Sequence, residues 1–372
     1  MTVADLFFLH QRATANGVYL AVAALGAWLA PVAAGYCAVA QGWRWIWWWS
    51  AIILGISLVA MIFLYEETKY AVELALPGAA EPDIPSMSNK NGTTTTNSLM
   101  SAASREEQQQ PRRMTKKSYW KRLALVTKTD EPFGRHVYRP FVILFTFPAV
   151  MYTALIYGLL LAWLSVISTV QSTYLPYPPY NFSAAGVGLF NLPPLIGAIV
   201  GSGLGGPLNG RWALWMAQRN RGVFEPEMRL WLSFPAIIAC PAGILLFGLG
   251  LAENRPWIML AVGSALFGLY LGAMGNISLT YLTDSYRDLV GDALVSVAFV
   301  RNGLATVIVF ALTPWIESVG LYNMFVSAAC LATAILLLTV PMIVWGKRAR
   351  CWTAGRYAEV VYGQCGVRTE SV

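Results

Sequence analysis

The sequence RRMTKKSYWKR, residues 112–122, lies near the end of a polar segment that interrupts an otherwise apolar chain. This segment extends from residue 66 to 139 and holds twelve Lys/Arg and nine Asp/Glu, together with a Thr run and a Gln run. Such a composition buries too little apolar surface to offset the entropy of ordering, so it predicts a disordered linker. The apolar sequence lies before and after this linker, which therefore divides the chain into two parts.

The basic end of the linker surrounds Tyr119 and Trp120 with six Lys/Arg. Two interpretations fit this pattern: a short amphipathic helix on an anionic membrane leaflet, or a solvated cluster that only sets membrane topology. Nucleic acid fits these charges less well, because the neighbouring apolar sequence makes the membrane surface the nearer polyanion. We therefore expect the lipid bilayer, and no nucleic acid, as a partner.

Charge-free intervals dominate the rest of the chain, which is 56% hydrophobic and only 12% charged overall. A helix needs about 20 apolar residues to cross roughly 30 Å of hydrocarbon. The intervals are 13–43, 45–65, 140–210, 230–252, 256–283 and 318–346, and 293–316 is broken only by Arg301. Because 140–210 has room for two helices, the sequence predicts an all-α integral membrane protein with about eight transmembrane helices.

Lysine and arginine residues fall almost entirely on one side of this arrangement. If the linker is cytoplasmic, 23 of the 26 Lys/Arg lie on that side, and Arg44, Arg255 and Arg301 are the other three. The positive-inside rule then places both termini in the cytoplasm. The predicted domains are two transmembrane helices in 1–65, the linker in 66–139, a six-helix bundle in 140–346 and a cytoplasmic tail in 347–372.

Small and aromatic residues mark particular spans. Gly26, Ala30 and Ala34 recur every four positions, and glycines repeat in the same way at 197–205, which predicts close contact between helices. The sequence GWRWIWWW at 42–49 predicts a tight turn with five indoles at the outer interface, where indoles anchor a membrane protein. Stacking on a substrate is the alternative role for these indoles. Pro148 predicts a bend in the span that begins near residue 140.

Several short stretches resemble the fungal branch of the major facilitator superfamily, in its drug:proton antiporter-like group of multidrug and solute transporters. They read ADLFF at 4–8, GAWLAPVAAG at 26–35, GWRW at 42–45, EETKY at 66–70 and YLTDSYRDLVGDAL at 281–294. The second stretch is similar to the family's antiporter motif, which Gly26, Pro31 and Gly35 match, whereas two other glycines of the motif are alanine here. In the last stretch, Asp284 belongs to the most specific match.

The resemblance implies a multi-pass transporter of a small organic solute, in which two helical bundles rock about a midplane site. It also implies efflux of a drug or secondary metabolite. The matches correspond to helices five to twelve of a twelve-helix fold, so we expect an N-terminally truncated chain. The alternative is a fragment that inserts but transports nothing. The plasma membrane is the expected location, in preference to the vacuolar membrane.

Candidate substrate-binding residues are the polar and aromatic side chains inside the spans. Arg301 is the ionised group well inside a span, where a charge normally faces a wet cavity or a partner. Its alternative role is to extend toward the carboxylates of Asp284, Asp288 and Asp292. The other candidates are Asn302, Asn276, Asn191, Tyr152 and Trp163, and the last two share a helix face because they are eleven residues apart.

The acidic residues, histidines and sequons of the chain bear on proton coupling, catalysis and glycosylation. No Asp or Glu lies inside the predicted spans, so a proton is a coupling ion only if its carrier lies elsewhere. The two histidines are isolated and no cluster has metal-ligand spacing, which argues against an enzyme, a metal and a cofactor. Asn181 begins the sequon expected on the outer side and predicts glycosylation there.

Overall fold

The structure is a computed structural model that describes residues 9–64, 133–286 and 289–366. Nearly all of the predicted linker, including residues 112–122, lies outside the described residues. The internal contacts divide the chain into two units: Met1–Leu54 with Asp130–Val372, and Gly55–Thr129. Of the second unit, only residues 55–64 are described, and they form the end of one helix.

The described residues form eleven α-helices and no strand, which confirms the all-α prediction. A π-helical turn covers Leu204–Leu208, and a 3₁₀ segment covers Pro226–Ser233. The helices are α1 Leu9–Ala40, α2 Trp43–Leu64, α3 Phe133–Thr146, α4 Pro148–Tyr174, α5 Ala184–Leu189, α6 Leu192–Gly203, α7 Asn209–Arg219, α8 Phe234–Ala252, α9 Trp257–Ser285, α10 Val290–Leu336 and α11 Thr339–Gly366.

Six helical segments among the described residues are long and apolar enough to cross a membrane, and a shorter apolar one covers Leu25–Ala40. The longest segment, Val290–Val360, has 71 residues, several times what one crossing requires. Gly320 breaks it with φ 79° and ψ 159°, so α10 contains two spans that meet at this residue. Each of the eight predicted spans therefore has a described helical counterpart.

Two predicted breaks occur where the sequence placed them. Phe147 adopts an extended conformation between α3 and α4, and Pro148 occupies the first turn of α4. Gly42 has φ 91° between α1 and α2. The turn at Gly42 is shorter than expected, because α2 already begins at Trp43 and carries all five indoles on its first turns. These indoles are exposed, as membrane anchors require.

The tightest packing joins α6 to α9 through glycines on both helices. A Cβ atom added at Gly197 or Gly201 would overlap the carbonyl of Ala265 or Leu269, and one added at Gly268 would overlap the carbonyl of Pro194. Backbones at this separation leave no room for side chains, so the glycine stripe at 197–205 makes the close contact predicted for it.

Helix α1 packs against α5 through Gly35 and not through the predicted stripe of Gly26, Ala30 and Ala34, in which Gly26 and Ala30 are exposed. A Cβ atom at Gly35 would lie 2.6 Å from the carbonyl oxygen of Ala184, and one at Gly188 would lie 2.8 Å from that of Pro31. Gly26 has open space around its Cα, so it takes no part in this contact. Pro31 and Gly35 of the antiporter-like motif therefore fix the position of α1 on the short helix α5.

Candidate functional site

Contacts between α4 and the first half of α10 define the surroundings of Arg301. The side chain of Leu304 occupies the space beside Gly158, where a Cβ atom would overlap it. Nearer the start of α10, the Ser296 hydroxyl donates a 2.6 Å hydrogen bond to the carbonyl of Pro140 in α3. Because Leu304 is one turn from Arg301, the guanidinium lies on the side of α10 that meets α4.

Arg301 and Tyr157 of α4 are within range of an electrostatic interaction. The Arg301 Nε atom is buried and has no hydrogen-bond partner, and among the described residues Arg301 forms no ion pair. The Tyr157 hydroxyl donates a 2.7 Å hydrogen bond to the carbonyl of Gly275 in α9. The Tyr157 hydroxyl thus links α4 to α9, and the Arg301 guanidinium has no described carboxylate beside it.

Asn276, the residue after Gly275, is fully buried on α9. Its Oδ1 atom is 3.3 Å from the Thr280 hydroxyl, which donates to it, while its Nδ2 donors have no partner. A buried amide with unused donors is costly unless a water or a ligand reaches it. Asn276 is therefore the second candidate that offers unused hydrogen-bonding capacity.

Tyr152 and Trp163 share a face of α4, but that face belongs to the core. Both rings are almost fully buried. The Tyr152 hydroxyl lies 2.9 Å from that of Thr339, and its ring packs edge-on against Tyr281. The Trp163 Nε1 atom is buried without a partner. Tyr152 thus joins α4 to α11, and of the two only Trp163 retains an unused donor.

Asn191 and Asn302 lie apart from this group. The Asn191 amide donates to the carbonyls of Val187 and Gly188 at 3.2 and 3.0 Å, so it closes the turn between α5 and α6. Asn302 is exposed, although it neighbours Arg301 in sequence. The structure therefore brings Arg301 close to Tyr157, which sequence reasoning missed, and not to Asn191.

Carboxylates that could have paired with Arg301 are engaged by other arginines. Asp284 accepts a 2.6 Å hydrogen bond from Arg229 Nε, and both side chains are buried. Asp292 lies 3.3 Å from Arg139. The side chain of Asp288 lies outside the described residues. The expected alternative, in which Arg301 extends toward these carboxylates, has no support from Asp284 or Asp292.

A cluster of ion pairs ties the segment after α7 to α11 at the same end of the molecule. Glu227 accepts two hydrogen bonds from Arg350, at 2.8 and 2.7 Å, and Glu225 accepts one from Lys347 at 2.6 Å. Asn209 is fully buried, and its side chain has no hydrogen-bond partner among the described residues. Sequence reasoning did not predict these ion pairs, whose partners lie more than a hundred positions apart.

The fold and its charges define a multi-pass α-helical membrane protein in which Arg301, inside a span, has no ion-pair partner among the described residues. The family model of the Major Facilitator Superfamily matches residues 2–310. The chain belongs to this superfamily. The members of this superfamily are membrane transporters, which are not enzymes.

Curated fungal relatives agree with this membership. An uncharacterised transporter of the major facilitator type from Schizosaccharomyces pombe is 35% identical over 96% of this chain and 66% of its own length. Protein HOL1 of Saccharomyces cerevisiae is 30% identical over 99% of this chain and 70% of its own length. The efflux pump radE of Floropilus chiversii is 26% identical over 94% and 60%. The chain thus spans about two thirds of the length of these relatives. No solved structure matches it.

Proposed function

We propose that the protein exports a small organic solute, and that Arg301 forms part of the midplane binding site. The observation that carries this proposal is a buried guanidinium Nε with no hydrogen-bond partner inside a span. Placing an arginine at the centre of a membrane helix costs roughly 2.5–3.5 kcal/mol, so such a group normally serves a ligand, a partner or a wet cavity. The direction of transport rests on relatives named as efflux pumps.

The depth of Arg301 supports a site near the middle of the bilayer. Nine residues separate it from Asp292, which is paired with Arg139 near the start of α10. At 1.5 Å per residue this places Arg301 roughly 13 Å into a hydrocarbon layer about 30 Å thick. A solute at this depth lies near the midplane of the bilayer, as alternating access requires.

The remaining candidates surround this point in different ways. Tyr157 would orient the site because its hydroxyl is fixed on the Gly275 carbonyl. Asn276 and Trp163 would contribute donors that are unused in the described structure. Asn302 would line the cavity from the exposed side of α10, whereas Tyr152 and Asn191 would support its walls through their hydrogen bonds.

Orientation and location follow from the charges. We place both termini, the linker at 66–139 and the Glu227–Arg350 pair in the cytoplasm, and the protein in the plasma membrane. The domain division of the sequence prediction is retained: 1–65, 66–139, the six-helix bundle 140–346 and the tail 347–372. Proton coupling would need a carboxylate that the described spans carry only near their ends, at positions such as Asp284 and Asp292.

Glycosylation of Asn181 tests this orientation. Asn181 is exposed in the loop after α4, and Ser183 is the N-cap of α5. This sequon can be glycosylated only if the loop faces the lumen or the outside. We expect treatment with a glycosidase to increase the gel mobility of the protein from its native host. Asn181→Gln should abolish that change and Asn91→Gln should leave it intact. A glycan on Asn91 would reverse the orientation.

Transport is tested with purified protein in liposomes. Ligands are first found by screening a panel of small organic cations, anions and neutral solutes for thermal stabilisation, which scales with ligand concentration over Kd. Flux of each hit is then measured with and without a pH gradient. We expect flux above that of protein-free liposomes, at least tenfold lower in Arg301→Gln and unchanged in Arg348→Gln, an exposed control.

Three outcomes would change the proposal. Full flux in Arg301→Gln would show that Arg301 is not part of the binding site, although the protein transports. A flux that is the same with and without the pH gradient would exclude a proton as the coupling ion. Inserted protein that moves no hit would favour the alternative that this chain does not transport.

A further inference from the structure

Helix α7 has one face buried in the protein and one face exposed. Asn209, Ala213 and Ala217 are buried at four-residue spacing. The opposite face carries Trp212 and Trp215, which are 37% and 41% exposed. Two exposed indoles on an eleven-residue helix are unusual for a surface in water and typical of a membrane interface.

The length of the helical run places α7 at that interface. The apolar segment that ends with α7 covers Ala184–Arg219. From Leu192 to Arg219 alone, a helical rise of 1.5 Å per residue gives about 42 Å, compared with roughly 30 Å of hydrocarbon. The last two turns of α7, with both indoles, therefore extend into the headgroup region.

Three arginines accompany the indoles. Arg211, Arg219 and Arg221 are exposed, and none forms an ion pair with a carboxylate among the described residues. The sequence holds no Asp or Glu between residues 132 and 224. By contrast, Arg229 and Arg350 at the same end each contact a carboxylate. The positive charge on and after α7 is therefore not balanced locally.

The aromatic and basic side chains also contact one another. The Arg219 guanidinium lies 3.9 Å from the centroid of the Trp215 ring, and the Trp212 and Trp215 rings are 5.1 Å apart. A guanidinium stacked on an indole keeps its outward N–H groups free, and these donors match the oxygens of a phosphate. Stacking also fixes the charge at the depth of the indoles.

We propose that this Trp/Arg surface, formed by Arg211, Trp212, Trp215, Arg219 and Arg221, binds the headgroups of anionic phospholipids. The indoles lie at the acyl boundary and the guanidiniums contact phosphate and carboxylate oxygens of the adjoining leaflet. The surface lies outside the proposed solute site, and its binding does not depend on transport.

The experiment uses the full chain in nanodiscs that contain equal amounts of phosphatidylcholine and phosphatidylserine with acyl chains of different mass. A photo-crosslinking residue, p-benzoylphenylalanine, replaces Trp215, and mass spectrometry identifies the attached lipid. We expect phosphatidylserine to exceed phosphatidylcholine by about fivefold, because one basic residue near an anionic surface contributes roughly 1 kcal/mol. The triple variant Arg211→Gln, Arg219→Gln, Arg221→Gln should reduce this ratio to near one.

Trp257 is the matched control. Its ring is also exposed, but it begins α9 at the other end of the bundle, where Arg255 is paired with Glu253. The same crosslinker at residue 257 should attach both lipids equally. Equal attachment at residue 215 would contradict headgroup selection and leave only aromatic anchoring. Attachment to protein in place of lipid would show that another polypeptide covers the surface. Gel filtration of each variant verifies that it is folded.

Discussion

Arg229 is buried and Arg301 is half-buried, and these two arginines have opposite surroundings. Arg229 is 6% exposed, contacts Asp284 at 2.6 Å and lies over the Phe224 ring at 5.4 Å. Arg301 has a buried Nε atom without a partner and no ion pair among the described residues. One guanidinium is neutralised by the fold and the other is not.

The difference separates a structural charge from a functional one. Replacing one partner of a buried ion pair leaves the other charge buried and unpaired. Such a substitution therefore strongly destabilises the protein. An unpaired charge lowers stability in every molecule that carries it, and its retention is understood most simply if a ligand provides the missing interaction. The variants below test whether these two arginines differ as this reasoning requires.

The largest effect is expected from Asp284→Asn, which leaves Arg229 charged, buried and unpaired. We expect a loss of about 3–5 kcal/mol. The measurement is the temperature at which half of the detergent-solubilised protein is lost from the monodisperse peak, at one fixed heating rate. This variant should show the greatest decrease of the set.

A second variant and a control make the result specific. Replacing both partners with apolar residues, Arg229→Met with Asp284→Leu, should recover most of the stability because no charge is then left unpaired. Glu253→Gln breaks the exposed pair with Arg255 and should produce no measurable change. A double variant as unstable as Asp284→Asn would mean that the segment needs the charges themselves.

An opposite and smaller effect is expected from Arg301→Met, which removes a charge that has no described partner. We expect a gain of about 1–3 kcal/mol, of the order of the cost of an arginine in a membrane helix. The same heating assay measures it, and transport should fall in parallel. A loss of stability comparable to that of Asp284→Asn would instead make Arg301 a structural residue like Arg229.

Local features of the fold were predictable from the sequence, because they depend on neighbouring residues. The length of charge-free intervals located the spans, Pro148 located the break between α3 and α4, and the glycine stripe at 197–205 located a close helix contact. Each of these follows from composition, ring geometry or side-chain size within a few turns of chain.

Pairings between distant residues were not predictable in the same way. Arg229 and Asp284 are 55 positions apart, and the Tyr157 hydroxyl reaches a carbonyl 118 positions away. Several arginines and carboxylates gather near one end, so sequence could not decide which of them pair. Tyr157 was missed because a tyrosine in an apolar run looks like core, and only its hydrogen bond and its proximity to Arg301 distinguish it.

The smallest effect, and the most selective one, is expected from Tyr157→Phe. It removes the hydrogen bond to the Gly275 carbonyl and should cost about 0.5–1.5 kcal/mol. Tyr180→Phe is the matched control, since its hydroxyl makes a 2.7 Å bond to the carbonyl of Arg255 far from the site. Both variants should lose similar stability, but only Tyr157→Phe should weaken solute binding.

A double variant tests whether Tyr157 acts together with Arg301. If it does, Tyr157→Phe should hardly change solute binding in the Arg301→Met background, because the effects of residues that share one interaction are not additive. If Tyr157→Phe weakens binding equally in the native protein and in Arg301→Met, the two residues act independently and Tyr157 has a structural role.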